Sequence, residues 1–210
     1  MLEVKTFTFG PFATNTYVVS DEHGNVLLID PACFYPYEQQ QLLNSITSLP
    51  FREGAGVGLH LSILATHGHL DHLWGAPWAC EQWHTSVLMH PLDIPMATAM
   101  QQQYNLFGIP ATAQPFPMEP LDEKSSQLST LNFQLIHTPG HTPGSICLYN
   151  EKESLLFSGD TLFNGGYGRT DLPGGSTAQL LASLEKLNRL PSGTLVYPGH
   201  GDTTVINPWQ

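Results

Sequence analysis

The segment Thr66-His67-Gly68-His69-Leu70-Asp71-His72 places three imidazoles and a carboxylate within six residues, an H-x-H-x-D-H pattern. Imidazole nitrogen and carboxylate oxygen are donors that zinc and similar divalent ions accept. In extended backbone, positions two apart face the same way, so His67 and His69 can grip one ion together. A turn after His69 re-aims Asp71 and His72, which could hold a second ion nearby. Without metal such clustering is costly, because polar groups crowd together with poor hydrogen-bond partners.

Three later stretches repeat the same plan, an apolar run that ends in a turn presenting a donor. Thr138-Pro139-Gly140-His141-Thr142-Pro143-Gly144 offers His141, Ser158-Gly159-Asp160-Thr161 offers Asp160, and Pro198-Gly199-His200-Gly201-Asp202 offers His200. Glycine lets backbone approach closely and proline restricts the turn, so each donor is held by a stiff support. Asp30, Asp202 and His137 are candidates to orient a ligand histidine. His23 and His60 read as surface or strand histidines and His84 as a solvated one.

The elements that must carry these turns follow from periodicity. Strands are expected at Leu2–Phe9, Thr16–Ser20, Val26–Ile29, Leu59–Ala65, Val87–Met89, Leu131–His137, Ser145–Tyr149, Leu155–Ser158 and Thr194–Tyr197. Helices are expected at Tyr37–Ser48, stopped by Pro50, at Leu73–Trp83, weakly over Pro91–Gln103, and at Ser176–Leu190, where Ser176 and Gln179 form a capping-box pattern. Asn105–Leu121 reads as a long irregular loop and Asn164–Ser176 as a glycine-rich one. Two batches of strands, each followed by helices, suggest sheet packed on sheet with helices outside.

The chain has 210 residues, 41% of them hydrophobic and only 12% charged, which is a globular composition expected to form one domain over 1–210. A net charge of -11 disfavours nucleic acid as a partner, and with it a nuclease. No apolar run is long enough to cross a membrane, and the N-terminus has no signal-peptide pattern. Cys33, Cys80 and Cys147 are odd in number and far apart, so a cytoplasmic protein with buried thiols is expected.

The four motifs together resemble the metallo-β-lactamase superfamily, and within it the thioester hydrolases of glyoxalase II (hydroxyacylglutathione hydrolase) type. The resemblance spans nearly the whole chain and implies an α/β fold, an αββα four-layer sandwich. It implies two divalent ions per chain, zinc first, with iron or manganese as substitutes. His67, His69 and His141 would hold one ion; Asp71, His72 and His200 the other; Asp160 would bridge them. Two such ions about 3.5–4 Å apart can hold a hydroxide between them and bring its pKa towards about 7. The expected reaction is hydrolysis of S-lactoylglutathione or a related thioester, with Asp71 orienting the attacking oxygen. The resemblance assigns Arg169 to an anionic substrate group. Tyr167, with Tyr104 and Phe107, is a further candidate for the pocket. Glyoxalase II enzymes usually add a C-terminal helical domain, and this chain, ending at Gln210, is expected to do without it.

Two rival readings remain at this level. Gly168-Arg169-Thr170-Asp171 also resembles the mononuclear iron persulfide dioxygenases of the same superfamily. A non-catalytic, metal-stabilised binding protein is the alternative of another class. Seven candidate ligands argue against it, because a structural site is usually closed by four. The sequence leaves the oligomeric state open.

Overall fold

The computed structural model describes residues 1–49, 59–122 and 129–207; the expected helix stop at Pro50 lies outside them. The chain divides into two compact units. The first comprises Met1–Ala65, His69–Leu88 and Met96–Glu119; the second comprises Thr66–Gly68, Met89–Pro95 and Pro120–Gln210.

In the first unit, β1 (Glu3–Phe9), β2 (Thr14–Ser20) and β3 (Asn25–Ile29) form an antiparallel meander. Parallel to β3 runs β4 (His60–Leu64), and parallel to β4 runs β5 (Val87–Met89). A short β6 (Met118–Pro120) completes the sheet order β1-β2-β3-β4-β5-β6. Val18, Val19, Leu28, Ile29, Ile63 and Leu64 are fully or almost fully buried, so the central strands are apolar rather than alternating. Helix α1 (Pro36–Thr47) starts on Pro36, whose missing N–H costs nothing in a first turn, and buries Leu42 and Ile46. The helix expected at Leu73–Trp83 is α3 (Ala76–Trp83), and a separate short α2 (Leu70–Leu73) precedes it. The break falls at Trp74-Gly75, where a Cβ on Gly75 would sit 2.2 Å from Cys33 Sγ, so only glycine fits. The weakly helical region Pro91–Gln103 holds α4 (Ile94–Thr98) and most of α5 (Met100–Leu106), and the loop expected over Asn105–Leu121 gives up its start to α5 and part of its end to β6.

In the second unit, β7 (Gln134–His137), β8 (Ile146–Asn150) and β9 (Leu155–Gly159) form another antiparallel meander. The loop expected over Asn164–Ser176 contains half of a small hairpin, since β10 (Leu162–Phe163) pairs with β11 (Gly166–Tyr167). Helix α6 (Thr177–Leu187) is capped by the Ser176 hydroxyl, which accepts the Gln179 N–H. Strand β12 (Leu195–Pro198) adds parallel to β9, and β13 (Thr204–Val205), too short to show in the pattern, pairs antiparallel with β12. The strand order is β13-β12-β9-β8-β7. Its core groups Cys147, Tyr149, Leu156, Leu187, Val196 and Ile206. No helix among the described residues is long and apolar enough to cross a membrane.

Candidate metal centre

Each donor-bearing turn is fixed by backbone bonds that its sequence makes possible. Gly159 has φ +49° and approaches Thr66 so closely that a Cβ would lie 2.5 Å from the Thr66 hydroxyl. Its carbonyl accepts the Gly199 N–H at 2.8 Å, tying the turn before Asp160 to the turn before His200. Gly140, at φ +140°, lets the first turn of α6 come within 2.3 Å of where a Cβ would stand. From α6, Ser183 donates to the Pro139 carbonyl at 2.8 Å and Lys186 to the His137 carbonyl, while the Ser176 N–H bonds the Gly140 carbonyl. The helix therefore grips the His141 turn on both sides.

The side chains are oriented with equal care. His141 Nδ1 donates to the Arg169 carbonyl at 2.8 Å, which fixes the proton on Nδ1 and the lone pair on Nε2. That Nε2 lies 3.4 Å from Asp160 Oδ2, and His200 Nε2 lies 3.5 Å from the same oxygen. His67 shares a hydrogen bond with the Thr66 hydroxyl at 3.1 Å and meets the His141 ring edge-on, centroids 4.8 Å apart. His72 Nδ1 donates to Asp30 Oδ2 at 2.8 Å, with both side chains buried. Asp30 itself holds φ +51°, uncommon for a residue with a Cβ. The Thr16 hydroxyl to its carbonyl (2.6 Å) and its N–H to the Leu64 carbonyl (2.9 Å) hold it there. Asp71 Oδ2 accepts the Thr14 hydroxyl at 2.7 Å and lies 3.5 Å from His72 Nε2.

Three groups of donor atoms each lie within 4.8 Å of one another: His67, His69, His141; His67, His72, Asp160; and Asp71, His72, His200. All seven ligands expected from the motifs fall in these groups. The donor set is imidazole and carboxylate throughout and mostly buried. In His72 and His141 the other ring nitrogen already gives its proton to an oxygen, the tautomer a metal ligand needs. The residues present therefore fit divalent metal.

The remaining candidates divide. Asp30 orients His72, as expected. Asp202 is exposed. His137 Nε2 bonds the Pro143 carbonyl at 2.9 Å, and its ring stacks on His90 with centroids 4.2 Å apart, a structural arrangement. The Arg169 guanidinium is exposed and forms two 2.7 Å bonds to Asp171, whose carboxyl that guanidinium holds down at about 2. The contribution of Arg169 to the centre itself comes from its backbone carbonyl. Gly168 beside it has no room for a side chain, since a Cβ would meet the Asp160 carbonyl at 1.9 Å. Tyr167 is half exposed and lines a cavity of about 330 Å³ with Leu162, Phe163 and Ile206. Tyr104 lines another, of about 760 Å³, with Phe34, Trp74 and Trp78. Phe107 packs edge-on against Phe12. Sequence reasoning passed over Asp93, which is fully buried and bonded to two of the donor-bearing loops. Nothing in its spacing marks it.

A family model for the metallo-beta-lactamase superfamily matches residues 9–200. The chain belongs to that superfamily. Its similarity to TTHA1623, solved in a di-iron-bound form, reaches a TM-score of 0.82 at 35% identity, covering 98% of this chain and 96% of that one. The BLEG-1 B3 metallo-beta-lactamase gives a TM-score of 0.81 at 34% identity, with 99% and 95% covered. Hydroxyacylglutathione hydrolase GloC of Haemophilus influenzae is 31% identical over 200 residues, 93% of this chain and 89% of its own length. The metallo-β-lactamase fold here is mixed α/β, with two main sheets and helices, and carries His/Asp clusters suited to metal.

Proposed function

We propose that this chain is a binuclear metal-dependent hydrolase of glyoxalase II type that cleaves S-lactoylglutathione or a related small thioester. The observation that carries the reading is the overlap of the three donor groups. His67 and His72 each appear in two of them, and Asp160 shares a group with one histidine of each expected ion site. A closed structural site uses four donors, and seven exceed what one ion takes. Similarity to the GloC hydrolase supports the substrate class, and similarity to a di-iron-bound structure supports iron beside zinc as the metal. His67, His69 and His141 would hold one ion, Asp71, His72 and His200 the second, with Asp160 across both.

Two divalent ions bound there would bring the pKa of water towards about 7 and offset charge on a substrate carbonyl oxygen. The chain's own residues set the stage for that chemistry. Asp30 and the Arg169 carbonyl keep the protons of His72 and His141 on Nδ1. Thr14 holds the Asp71 carboxylate in one rotamer, which suits Asp71 to orient the attacking oxygen. No protein nucleophile is required. Burial pushes the Cys33 thiol up to about 12 and the Cys80 and Cys147 thiols to about 11, so none is a thiolate at neutral pH.

A hydrolysis panel on metal-analysed protein tests the reading. Thioesters of glutathione, coenzyme A and a small thiol would be compared with a β-lactam, the last because of the BLEG-1 similarity. The expected result is turnover of a glutathione thioester that disappears in His69→Ala. A β-lactam cleaved faster than every thioester would replace the substrate class, and persistence of hydrolysis in His69→Ala would remove the centre from catalysis.

A further inference from the structure

We propose that Asp93 is a positioning residue that sets the spacing between the His67-Gly68-His69 loop and the His141 loop, and thereby the affinity of this chain for metal. The inference rests on the reading of these loops as metal-bearing.

Asp93 is fully buried. Its Oδ2 accepts the Gly68 N–H at 2.8 Å and the Thr142 hydroxyl at 2.6 Å, and its Oδ1 accepts the Gly144 N–H at 2.6 Å. Every donor is one to three residues from a candidate ligand: Gly68 stands between His67 and His69, and Thr142 follows His141 directly. A carboxylate only accepts, so Thr142 must spend its hydroxyl proton on Asp93. The Ser145 hydroxyl, 2.7 Å from Thr142 Oγ1, then donates to that oxygen while accepting the Thr142 N–H at 3.1 Å. Each hydrogen in the chain Ser145, Thr142, Asp93 thus has one direction. Asp93 is anchored in turn by its own N–H to the His90 carbonyl at 2.9 Å.

Two features separate this arrangement from ordinary packing. A buried carboxylate is costly and persists only where donors compensate it, and here the donors come from two different loops. Bonds to a charged acceptor are short and directional, so the carboxylate acts as a strut of fixed length. The strut is also tightly fitted: a Cβ at position 144 would lie 2.6 Å from Asp93 Cγ and 2.7 Å from Oδ1, which demands glycine. Metal geometry tolerates errors of only about 0.5 Å in donor placement. Partners that orient ligand loops typically change metal affinity by about 10–100-fold when lost.

The test is zinc affinity by competition with a chromophoric chelator, alongside thermal melting of the metal-free protein. Asp93→Asn keeps the shape but replaces one acceptor oxygen with an N–H₂ group facing a donor. It should weaken zinc binding about 10–100-fold. Thr142→Val should weaken it in the same direction and Thr142→Ser should restore it, which keeps the test decisive if Asp93→Asn fails to fold. Leu42→Ala, a core change in α1, should lower the melting temperature and leave zinc affinity unchanged. Wild-type zinc affinity in both Asp93→Asn and Thr142→Val overturns the inference, as does an equal loss of affinity in Leu42→Ala. Wild-type protein that takes up no zinc would overturn the functional reading and this inference with it. Uptake by wild type with unchanged variants overturns the inference alone.

Discussion

At the residue scale, the centre depends on protons placed by neighbours as much as on the donors themselves. Asp30 is the clearest case, a buried carboxylate in left-handed backbone whose oxygen takes the His72 Nδ1 proton. Asp30→Asn removes the charge and allows an amide N–H₂ to face the ring, favouring the wrong tautomer, as loss of an orienting carboxylate does elsewhere. It should lower metal affinity about 10–100-fold, measured by chelator competition; an unchanged affinity would show that Asp30 does not orient His72. Arg169 carries a different expectation. Its guanidinium is bound to Asp171 at two points, so an anionic substrate would compete with an exposed pair already screened by water. Arg169→Ala should raise the Michaelis constant for a glutathione thioester more than it lowers turnover, and an unchanged constant would leave Arg169 only its backbone role.

At the element scale, the donors are delivered by strand ends and gripped by a helix. Gly140 is where the two meet, with the Leu180 backbone 2.3 Å from where a Cβ would stand. Gly140→Ala should push the His141 turn off α6 and cost about 1–3 kcal/mol in urea unfolding; a neutral effect would mean that α6 does not hold the turn. The strand runs were legible because alternation or continuous burial with β-branched residues is a strong local signal. Positions such as the His141 turn were legible because proline and glycine bracket the donor. Other details were not, among them three. The break between α2 and α3 falls at Gly75, whose N–H bonds the Pro31 carbonyl at 2.7 Å, a partner distant in sequence. The β10–β11 hairpin pairs only two residues on each side, too few for a period. Asp93 gained its meaning only when folding brought Gly68, Thr142 and Gly144 to its carboxylate.

At the scale of the whole molecule, three thiols lie away from the surface. All are free and buried, and burial raises each above its ordinary value of 9.0, Cys33 furthest, to about 12. Because these folded-state values lie above the unfolded ones, the thiol contribution to stability is fully present below about pH 9. It fades as pH rises through about 11–12. At pH 8 the native protein should therefore resist iodoacetamide, while the same protein in denaturant is alkylated at all three positions, read by mass spectrometry. Rapid native labelling would show that the thiols are not shielded. The chain carries a net charge of -11, and binding of two divalent ions at the donor cluster would locally oppose it. A pair of ions is therefore the claim on which the catalytic account turns. Elemental analysis of purified protein, reconstituted with excess zinc or iron and then freed of unbound metal, tests it most directly. The account predicts close to two ions per chain in wild type, falling to one or fewer in Asp160→Asn; one ion or less per chain in the wild type would contradict it.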